Sequence, residues 1–137
     1  RMHDIGKITI PDDILKKPSK LTDEEWVIMK NHSINGYQIL RSADKYSNLA
    51  DYALTHHERW DGTGYPKGLA GEDIPLFSRI IHISDAFEAM TSDRPYRKAL
   101  KVQDAIDELA KYSGTQFDPS LVKVFINEVI KDEYPNL

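Results

Sequence analysis

Helical periodicity dominates this 137-residue chain and restricts the folds open to it. Apolar residues recur three and four positions apart in five segments, the spacing that places them on one face of an α-helix. Strand-like alternation appears briefly at residues 5–11, and no second segment of similar character could pair with it, so we expect an extended loop there. The sequence therefore predicts an all-α fold, a compact helical bundle of about five to six helices.

Capping residues and glycine or proline stops set the predicted helix boundaries. Thr22 and Glu25 form a capping box that starts a helix running to about Leu40, with Leu21 and Trp26 placed as a hydrophobic staple. Further helices are expected at about residues 47–57, 76–90 and 102–112, and Asp118-Pro119 starts the last one. The predicted inward face of the first helix carries Trp26, Met29, His32, Gly36 and Leu40, and that of residues 47–57 carries Leu49, Tyr52, Ala53 and His56. The inward face of residues 102–112 carries Ile106, Leu109 and Ala110, and that of the last helix carries Val122, Phe125, Ile126 and Val129.

Composition excludes several classes of protein. Hydrophobic residues make up 40% of the chain and the net charge is −4, which fits one ordinary globular domain and argues against duplex nucleic acid as a primary partner. No apolar run approaches the ~20 residues that span a bilayer, and the first residues do not resemble a signal peptide, so we expect no membrane insertion and a cytoplasmic location. Because cysteine is absent, any metal must be held by His, Asp and Glu.

Histidines and aspartates occupy positions that the predicted helices turn inward. His32 and His56 lie on inward faces, His3 precedes Asp4, and Asp85 interrupts the most apolar helix. A lone histidine on such a face is most often a core residue, and Asp85 could instead cap a helix or pair with an arginine. A buried carboxylate costs several kcal/mol unless it is paired, however, so the combination favours metal ligation. Imidazole and carboxylate together suit iron, manganese or zinc, and the absence of thiolate favours iron or manganese.

The segment HHERWDGTGYP, residues 56–66, places two histidines directly before a turn. Neighbours on a helix point about 100° apart, so His56 and His57 both bind only if they flank a wider site or serve different ions. Gly62 and Gly64 permit positive φ and Pro66 bars helix continuation, which predicts a rim over the site. An ordinary surface loop is the alternative.

Four motifs, in order along almost the whole chain, resemble those of the HD-GYP family. They are HDIGKI at 3–8, HHERWDGTGYP at 56–66, GEDIP at 71–75 and SDRPYRKAL at 92–100. The family comprises bacterial metal-dependent cyclic-di-GMP phosphodiesterases of the HD phosphohydrolase superfamily. The resemblance implies an HD-type bundle that hydrolyses cyclic-di-GMP to pGpG, GMP or both, with two or three divalent ions. Iron or manganese is expected, and zinc, magnesium and nickel are further candidates.

The resemblance also assigns roles to residues. It implies that Asp4 and Lys7 are catalytic and that His82 is structural. It further implies metal ligands at His3, Asp4, His32, His56, His57 and Asp85, and substrate contacts at Lys7, Tyr65, Pro66, Arg94 and Arg97.

The same resemblance makes predictions about the longer protein. Family members carry helices before the HD doublet that supply further ligands, so we expect residues 1–137 to be one HD-GYP domain that lacks them, with weak or absent activity. An upstream sensory or receiver domain is expected in the parent. A diguanylate cyclase (GGDEF) domain is the partner expected at the loop of Gly64, Tyr65 and Pro66, and a homodimer is a further candidate assembly.

Two other functions stay open. One is a catalytically silent module that binds cyclic-di-GMP or docks a cyclase, although none of the six ligand positions is substituted. The other is a superfamily phosphohydrolase acting on a nucleotide such as ppGpp, against which the GYP and DRPYR motifs argue.

Overall fold

The structure is a computed structural model that describes residues 2–94 and 97–135. These residues form helices and no β-strand, so the predicted all-α class is confirmed, and the number of α-helices is slightly above the expected five to six. The seven α-helices are α1 (Asp12–Leu15), α2 (Asp23–Arg41), α3 (Ala50–Thr55), α4 (Leu76–Thr91), α5 (Val102–Lys111), α6 (Pro119–Val124) and α7 (Lys131–Glu133). Three 3-10 helices (Met2–Thr9, Asp44–Leu49 and Gly71–Asp73) and a π-helix (Phe125–Ile130) complete the described elements.

Helix α2 starts where its capping box predicts. The Glu25 backbone N–H donates to the Thr22 hydroxyl at 3.3 Å, and the Thr22 N–H donates to the Glu25 carboxylate at 2.8 Å. Lys17 pairs with the same carboxylate at 2.6 Å, which ties the α1–α2 loop to this helix end. Trp26 was predicted on the inner stripe, but the structure leaves it 45% exposed. Helical periodicity cannot distinguish a residue that faces the core from one that faces a cleft.

The extended loop predicted at residues 5–11 is wrong. Residues Met2–Thr9 form a 3-10 helix that packs along the backbone of α2. The contact is close because Gly6 has no side chain: a Cβ there would lie 1.8 Å from the His32 carbonyl oxygen and 2.5 Å from the Gly36 nitrogen. This segment is therefore shaped by a tertiary contact that its own alternation pattern does not reveal.

The helix predicted at about residues 47–57 is divided in two. The 3-10 helix Asp44–Leu49 leads into α3, which ends at Thr55. His56 is the C-cap of α3 and His57 lies beyond it. The two histidines therefore sit where the chain leaves the helix, and the ideal helical angle between neighbours does not fix their relative directions.

Helix α6 begins as predicted, but its apolar face shifts further along. The Asp118 carboxylate accepts the Ser120 N–H at 2.9 Å, and Pro119 occupies the first turn. From Phe125 the chain widens into the π-helix, whose hydrogen bonds span one residue more than those of an α-helix. This change of phase buries Ile130 and leaves Val129, predicted to face inward, 42% exposed.

Two apolar clusters flank the centre of the molecule. One joins α4, α5, α6 and the π-helix through Ile83, Phe87, Ala105, Leu109, Phe117, Val122 and Ile130. The other joins α2 to α3 through Leu40, Ala50 and Ala53. Polar contacts link α4 to the elements on either side: Thr55 bonds Ser78 at 2.7 Å, and Arg79 pairs with Asp118 at 2.6 Å. Within the part of the chain that the structure describes, no helix combines the length and apolar character needed to cross a membrane.

Candidate metal centre and adjoining clefts

The structure brings together all six histidines and aspartates that the sequence singled out as ligands. They come from four separate elements: the first 3-10 helix, α2, the end of α3 and α4. Their ligand atoms form two groups. One group comprises Asp4, His32, His56 and His57, and the other comprises His3, Asp4 and Asp85. Asp4 belongs to both groups, so its carboxylate lies between them.

Distances within the first group match those expected around a cation. The Nε2 atoms of His32 and His56 each lie 3.8 Å from the Asp4 Oδ1 atom. The Nε2 atom of His57 lies 3.1 Å from that of His32. Ligand atoms bound at about 2.0–2.2 Å from one ion are themselves about 3–4 Å apart. His56 and His57 thus flank one group, which is one of the two arrangements that the sequence left open.

The second group surrounds the other oxygen of Asp4. The His3 Nε2 atom lies 3.6 Å from the Asp4 Oδ2 atom and 3.6 Å from the Asp85 Oδ1 atom. The Lys7 ammonium donates to the Asp4 Oδ2 atom at 2.8 Å. Asp85 is less deeply placed than its apolar helix suggested, because its side chain is 41% exposed. It borders the opening of the site.

Backbone carbonyls orient two of the imidazoles. The His32 Nδ1–H donates to the Met29 carbonyl at 2.7 Å, and the His56 Nδ1–H donates to the Ala53 carbonyl at 2.8 Å. With the proton on Nδ1, each ring presents the lone pair of Nε2 to the group around Asp4. A hydrogen bond from the remote nitrogen is the usual way in which proteins orient a metal-binding histidine.

Burial keeps the imidazoles of His32, His56 and His57 neutral near pH 7. It lowers the pKa of His32, and together with His3 it lowers the pKa of His56 to about 4. Burial and the neighbouring His56 and His32 lower the pKa of His57 to about 2. Beside Asp85, the His3 imidazole lowers the pKa of the carboxyl group to about 2 although burial opposes this. Neutral imidazoles and an ionised carboxylate are the protonation states that bind a metal.

Buried polar atoms without partners show that a cation would fit. Among the described residues, His3 Nε2, His56 Nε2 and Asp4 Oδ1 are buried and lack a hydrogen-bond partner. An unsatisfied buried polar atom ordinarily costs about 1–3 kcal/mol, and more when it is charged. All three atoms belong to the ligand groups. Divalent ions that accept nitrogen and oxygen ligands, one at each group, would satisfy all three atoms.

The loop after His57 is held by a residue that the sequence analysis did not single out. Glu58 is 2% exposed, and its carboxylate accepts the backbone N–H groups of Lys67 at 2.7 Å and Leu69 at 3.0 Å. This anchoring folds residues 59–69 back over the His56–His57 segment. Glutamate is rarely buried unless it is paired, so the burial of Glu58 identifies it as an anchor, which its residue type and spacing alone do not indicate.

Only one of the two glycines expected at positive φ adopts it. Gly62 has a φ of +78°, as a tight turn requires, whereas Gly64 is not among the glycines with positive φ. Gly64 is instead needed for space, since a Cβ there would lie 2.4 Å from the Arg59 nitrogen and 2.6 Å from the His57 carbonyl oxygen. The loop therefore lies directly against the segment that carries the two histidines.

Two clefts open beside the ligand groups. The larger, about 890 Å³, is called here the Lys7 cleft and is lined in part by Lys7, Lys17, Lys20 and Arg94. The smaller, about 710 Å³, is called the Asp23 cleft and is lined in part by Asp23, Lys30 and Arg59. Trp26, His57 and Tyr65 line both. The Tyr65 ring stacks on that of His57 with centroids 4.9 Å apart, which places the tyrosine at the mouth of the site.

The other predicted residues are more peripheral. Pro66 is half-buried in the loop, next to Tyr65. Arg94 lines the Lys7 cleft and pairs with Glu88 at 2.7 Å, whereas the Arg97 guanidinium donates to the Ala89 carbonyl. The two residues between these arginines in the DRPYR motif, 95 and 96, lie outside the described part of the chain.

His82 is placed as a structural contact of the histidine pair. Its Nδ1–H donates to the His56 carbonyl at 2.7 Å, and its Nε2 atom lies 3.3 Å from the Gln116 amide nitrogen. It belongs to neither ligand group. The bond to His56 ties α4 to the point where the chain leaves α3.

Comparison with known proteins adds to this geometry. A protein-family model described as HD domain matches residues 1–121. The chain is 48% identical over 127 residues to a cyclic di-GMP phosphodiesterase of Thermotoga maritima. The matched region covers 91% of this chain and 34% of that protein. It is 46% identical over 129 residues to a cyclic di-GMP phosphodiesterase of Pseudomonas aeruginosa, covering 93% and 31%. A 3'3'-cGAMP-specific phosphodiesterase of Vibrio cholerae is 39% identical over 139 residues, covering 99% and 30%.

A solved structure shares the fold. The crystal structure of a cyclic GMP-AMP-specific phosphodiesterase of Vibrio cholerae superimposes with a TM-score of 0.67 at 22% identity, covering 98% of this chain and 36% of that one. The curated relatives above are also much longer, and this chain spans about a third of their length.

Proposed function

This chain belongs to the HD domain family, and from that premise we propose that it is a metal-dependent phosphodiesterase that hydrolyses cyclic di-GMP to pGpG, GMP or both. Relatives named as cyclic di-GMP phosphodiesterases at 46–48% identity support the choice of substrate. The family model matches residues 1–121, a range that includes every ligand position discussed above. A cyclic dinucleotide is also a reasonable occupant for clefts of about 890 and 710 Å³ on either side of the ligand groups.

The observation that carries the proposal is the position of Asp4 between two ligand groups. One oxygen faces His32 and His56, and the other faces His3. A carboxylate shared in this way suits a pair of ions a few ångströms apart, as in hydrolases that cleave phosphate esters with two metals. We propose at least two ions, of iron or manganese, because the ligands are nitrogen and oxygen without sulfur.

Bound divalent ions at such a centre supply Lewis-acid stabilisation of phosphate oxygens and lower the pKa of water toward neutrality. The chain itself contributes orientation and charge. His32 and His56 are fixed by the carbonyls of Met29 and Ala53, so their Nε2 atoms need no reorganisation. Asp85, in α4, completes the second ligand group with His3 and Asp4. These residues would define where the scissile phosphate sits.

We propose that two basic side chains, Lys7 and Arg94, bind the phosphate. Lys7 touches Asp4, and its side chain is also 41% exposed to the Lys7 cleft, so its ammonium can donate to a phosphate oxygen beside the centre. Arg94, which follows the C-terminal end of α4, lines the same cleft. Charge held where negative charge develops is usually the largest protein contribution to such reactions. We assign Asp4 and Lys7 the catalytic roles and Arg94 a binding role.

Other contacts are proposed from the family resemblance. Tyr65 and Pro66 would shape the rim above the bound dinucleotide, and Arg97 would reach substrate only after leaving the Ala89 carbonyl. The loop of Gly64, Tyr65 and Pro66 is our candidate contact for a diguanylate cyclase domain. We also propose a cytoplasmic protein with a sensory or receiver domain in the parent, ligands from a preceding segment, and a homodimer as a candidate assembly.

The proposal is tested by product analysis with a matched pair of variants. The chain, loaded with manganese or ferrous iron, is incubated with cyclic di-GMP, and pGpG and GMP are separated by chromatography. Long incubation at high protein concentration is used because ligands from a preceding segment would raise the rate. We expect turnover that EDTA and Asp85→Asn abolish, and that Asp107→Asn, on the exposed face of α5, leaves unchanged.

The other outcomes identify the alternatives. Binding of cyclic di-GMP without product or bound metal would indicate a silent binding module. Hydrolysis of ppGpp in place of cyclic di-GMP would indicate the other superfamily activity.

A further inference from the structure

The Asp23 cleft takes no part in the chemistry proposed above, although it opens on the same centre. It shares a wall of Trp26, His57 and Tyr65 with the Lys7 cleft, where Lys7 and Arg94 lie. A cyclic dinucleotide with one phosphate at the ligand groups carries two bases that extend away from that phosphate. The Asp23 cleft is a site that one of these two bases can occupy.

Trp26 has the exposure and position of a stacking residue. It stands in the second turn of α2, 45% exposed, and it lines both clefts. Trp26 contributes only part of its hydrophobic burial energy to the stability of the fold, because about half of the side chain stays exposed to water. Aromatic faces next to phosphate-binding sites commonly stack on nucleic acid bases.

The opposite wall of the Asp23 cleft is held in place before any ligand arrives. The Arg59 guanidinium donates to Thr63 at 2.9 Å and pairs with Asp61 at 3.3 Å, which fixes its plane. Gly64 packs against the Arg59 backbone, and the Lys30 ammonium lies 5.3 Å from the centre of the Tyr65 ring. The cleft is therefore a formed slot between α2 and the loop.

The polar groups that line this slot match the edge of guanine better than that of adenine. Guanine offers two adjacent donors, N1–H and the N2 amino group, for which a carboxylate such as Asp23 is the complementary acceptor. It also offers O6 and N7 as acceptors, the atoms that arginine and lysine most often contact. Adenine has an acceptor at N1, which a carboxylate would oppose.

We propose that the Asp23 cleft is a guanine-binding subsite in which Trp26 stacks on the base and Asp23 accepts hydrogen bonds from its N1–H and N2 amino group. Arg59 and Lys30 face the O6 and N7 side. The proposal rests on the proposed function for its substrate class, and it adds the residues that make this chain select a guanine nucleotide. A single guanine subsite admits both cyclic di-GMP and 3'3'-cGAMP, which appear in the names of similar proteins, and disfavours a cyclic dinucleotide that contains only adenine.

Calorimetry with GMP and AMP tests the subsite apart from catalysis, because neither mononucleotide contains a bond that a phosphodiesterase cleaves. We expect GMP to bind more tightly than AMP. Trp26→Ala should weaken both by about 5- to 150-fold, and Trp26→Tyr should restore most of the affinity. Asp23→Asn should weaken GMP by about 10- to 150-fold and AMP by no more than about twofold.

Glu24→Gln is the matched control, since it removes the same charge from the same turn of α2 but does not line the cleft. It should bind both nucleotides as the unmodified chain does. Equal affinity for GMP and AMP, no binding of GMP, or equal effects of Asp23→Asn and Glu24→Gln would each overturn the proposal. Thermal midpoints of all variants show that they are folded.

A substrate without a purine separates this inference from the proposed function. Bis(p-nitrophenyl) phosphate tests the metal centre alone, and the unmodified chain and Glu24→Gln should hydrolyse it at the same rate. Unaltered nucleotide binding in Trp26→Ala, with hydrolysis intact in the unmodified chain, would refute the subsite and leave the phosphodiesterase proposal standing. Normal discrimination between GMP and AMP without any hydrolysis would refute the phosphodiesterase proposal and leave the subsite standing.

Discussion

Asp4 is the residue on which both halves of the candidate centre depend. Its two oxygens face different histidines, and one of them is buried without a hydrogen-bond partner among the described residues. Such an arrangement is unfavourable in the chain alone, because a carboxylate oxygen that has lost its water needs a replacement ligand. Cations bound at the two ligand groups would supply that replacement ligand and would explain why the Asp4 carboxylate lies there.

Asp4→Asn should remove metal binding at both groups while sparing the metal-free fold. The amide keeps the size of the side chain but loses the charge and one acceptor, so the metal content measured by elemental analysis should fall below half of the unmodified value. The rise in melting temperature on adding manganese, worth about 2.7 kcal/mol at 100 times Kd, should disappear. Asp13→Asn, exposed in α1, is the control, and an unchanged manganese content in Asp4→Asn would contradict the shared role.

The candidate ligand residues could be identified from the sequence by their residue type, but the residues that hold the surrounding segments in place could not. Histidine and aspartate at inward positions pointed to His32, His56 and Asp85 because polar groups there need partners. Glu58 and Asp23 escaped notice because their importance lies in which backbone or cleft they face. That information is created only when residues 59–69 fold back, and no local spacing encodes it.

Among the elements, the first 3-10 helix and α2 meet most closely, at Gly6. This contact brings His3 and Asp4 next to His32, although Gly6 binds nothing itself. The distance between the two elements that carry the candidate ligands is therefore controlled by the absence of a side chain at Gly6.

Gly6→Ala should separate these two elements and weaken metal binding without altering a ligand. Its Cβ would lie 1.8 Å from the His32 carbonyl oxygen, so the helix must move, at a cost of about 3 kcal/mol or more in the free energy of unfolding. Calorimetry with manganese should show an affinity about 10- to 100-fold lower, as for other changes that misplace ligands.

Gly36→Ala presses on the same contact from the α2 side and is the graded comparison for Gly6→Ala. Its Cβ would lie 3.3 Å from the Gly6 nitrogen, a much milder overlap, and alanine favours the helix by about 1 kcal/mol, so stability should change by no more than about 1 kcal/mol and metal affinity should fall less than in Gly6→Ala. Equal losses of metal affinity in the two variants would show that the severity of the overlap at Gly6 is not the cause.

The 59–69 loop is the second element whose position can be tested, through Glu58. Glu58→Gln replaces one acceptor oxygen by an N–H donor facing backbone N–H groups, which should cost about 1–3 kcal/mol in unfolding free energy. Hydrogen exchange should accelerate at the Lys67 and Leu69 amides. Glu72→Gln, an exposed substitution, should leave both amides protected, and unchanged exchange in Glu58→Gln would mean that the loop is held otherwise.

Local signals predicted some elements well and others poorly, for identifiable reasons. The start of α2 was correct because Thr22 and Glu25 satisfy each other within one turn. The positions of Trp26 and Val129 were wrong because Trp26 faces a cleft and Val129 lies within a π-helix, which shifts the phase of the apolar face. Residues 5–11 were predicted as an extended loop because the helical form of residues Met2–Thr9 depends on the contact with α2.

At the scale of the whole molecule, α4 belongs to one apolar cluster and contacts the element that carries part of the other, α3, through the Thr55–Ser78 hydrogen bond. Toward α6, α4 forms a deeply placed ion pair between Arg79 and Asp118, and the Arg79 guanidinium lies 5.8 Å from the centre of the Trp60 ring. Burial by itself would raise the pKa of Asp118, but hydrogen bonds from Arg79 and Ser120 outweigh it, so the folded-state pKa lies below the usual range.

Asp118→Asn should lower stability at neutral pH by about 3 kcal/mol, because a buried arginine then loses its partner while asparagine still caps α6. Since the folded pKa is lowered, the stabilisation by Asp118 is complete above the unfolded pKa of about 3.9 and is lost as pH falls below it. Urea unfolding of both proteins from pH 7 downward should therefore converge at low pH. A difference that stays constant down to low pH would contradict the ionic role.

The helical class could be predicted for the whole molecule, and so could the six candidate ligand residues that the structure brings together, but the two clefts could not. Class follows from periodicity and ligand identity from residue type, both of which are local properties. The clefts depend on how the α1–α2 loop, α2 and the 59–69 loop stand relative to one another. That arrangement reflects contacts such as Lys17 with Glu25 and Glu58 with Lys67, which join distant positions.

An anomalous-scattering map of crystals grown with manganese tests the central claim most directly. The account predicts two peaks: one bounded by Asp4, His32, His56 and His57, the other by His3, Asp4 and Asp85. A map with no peak at Asp4, or with manganese bound only at exposed acidic residues, would contradict it.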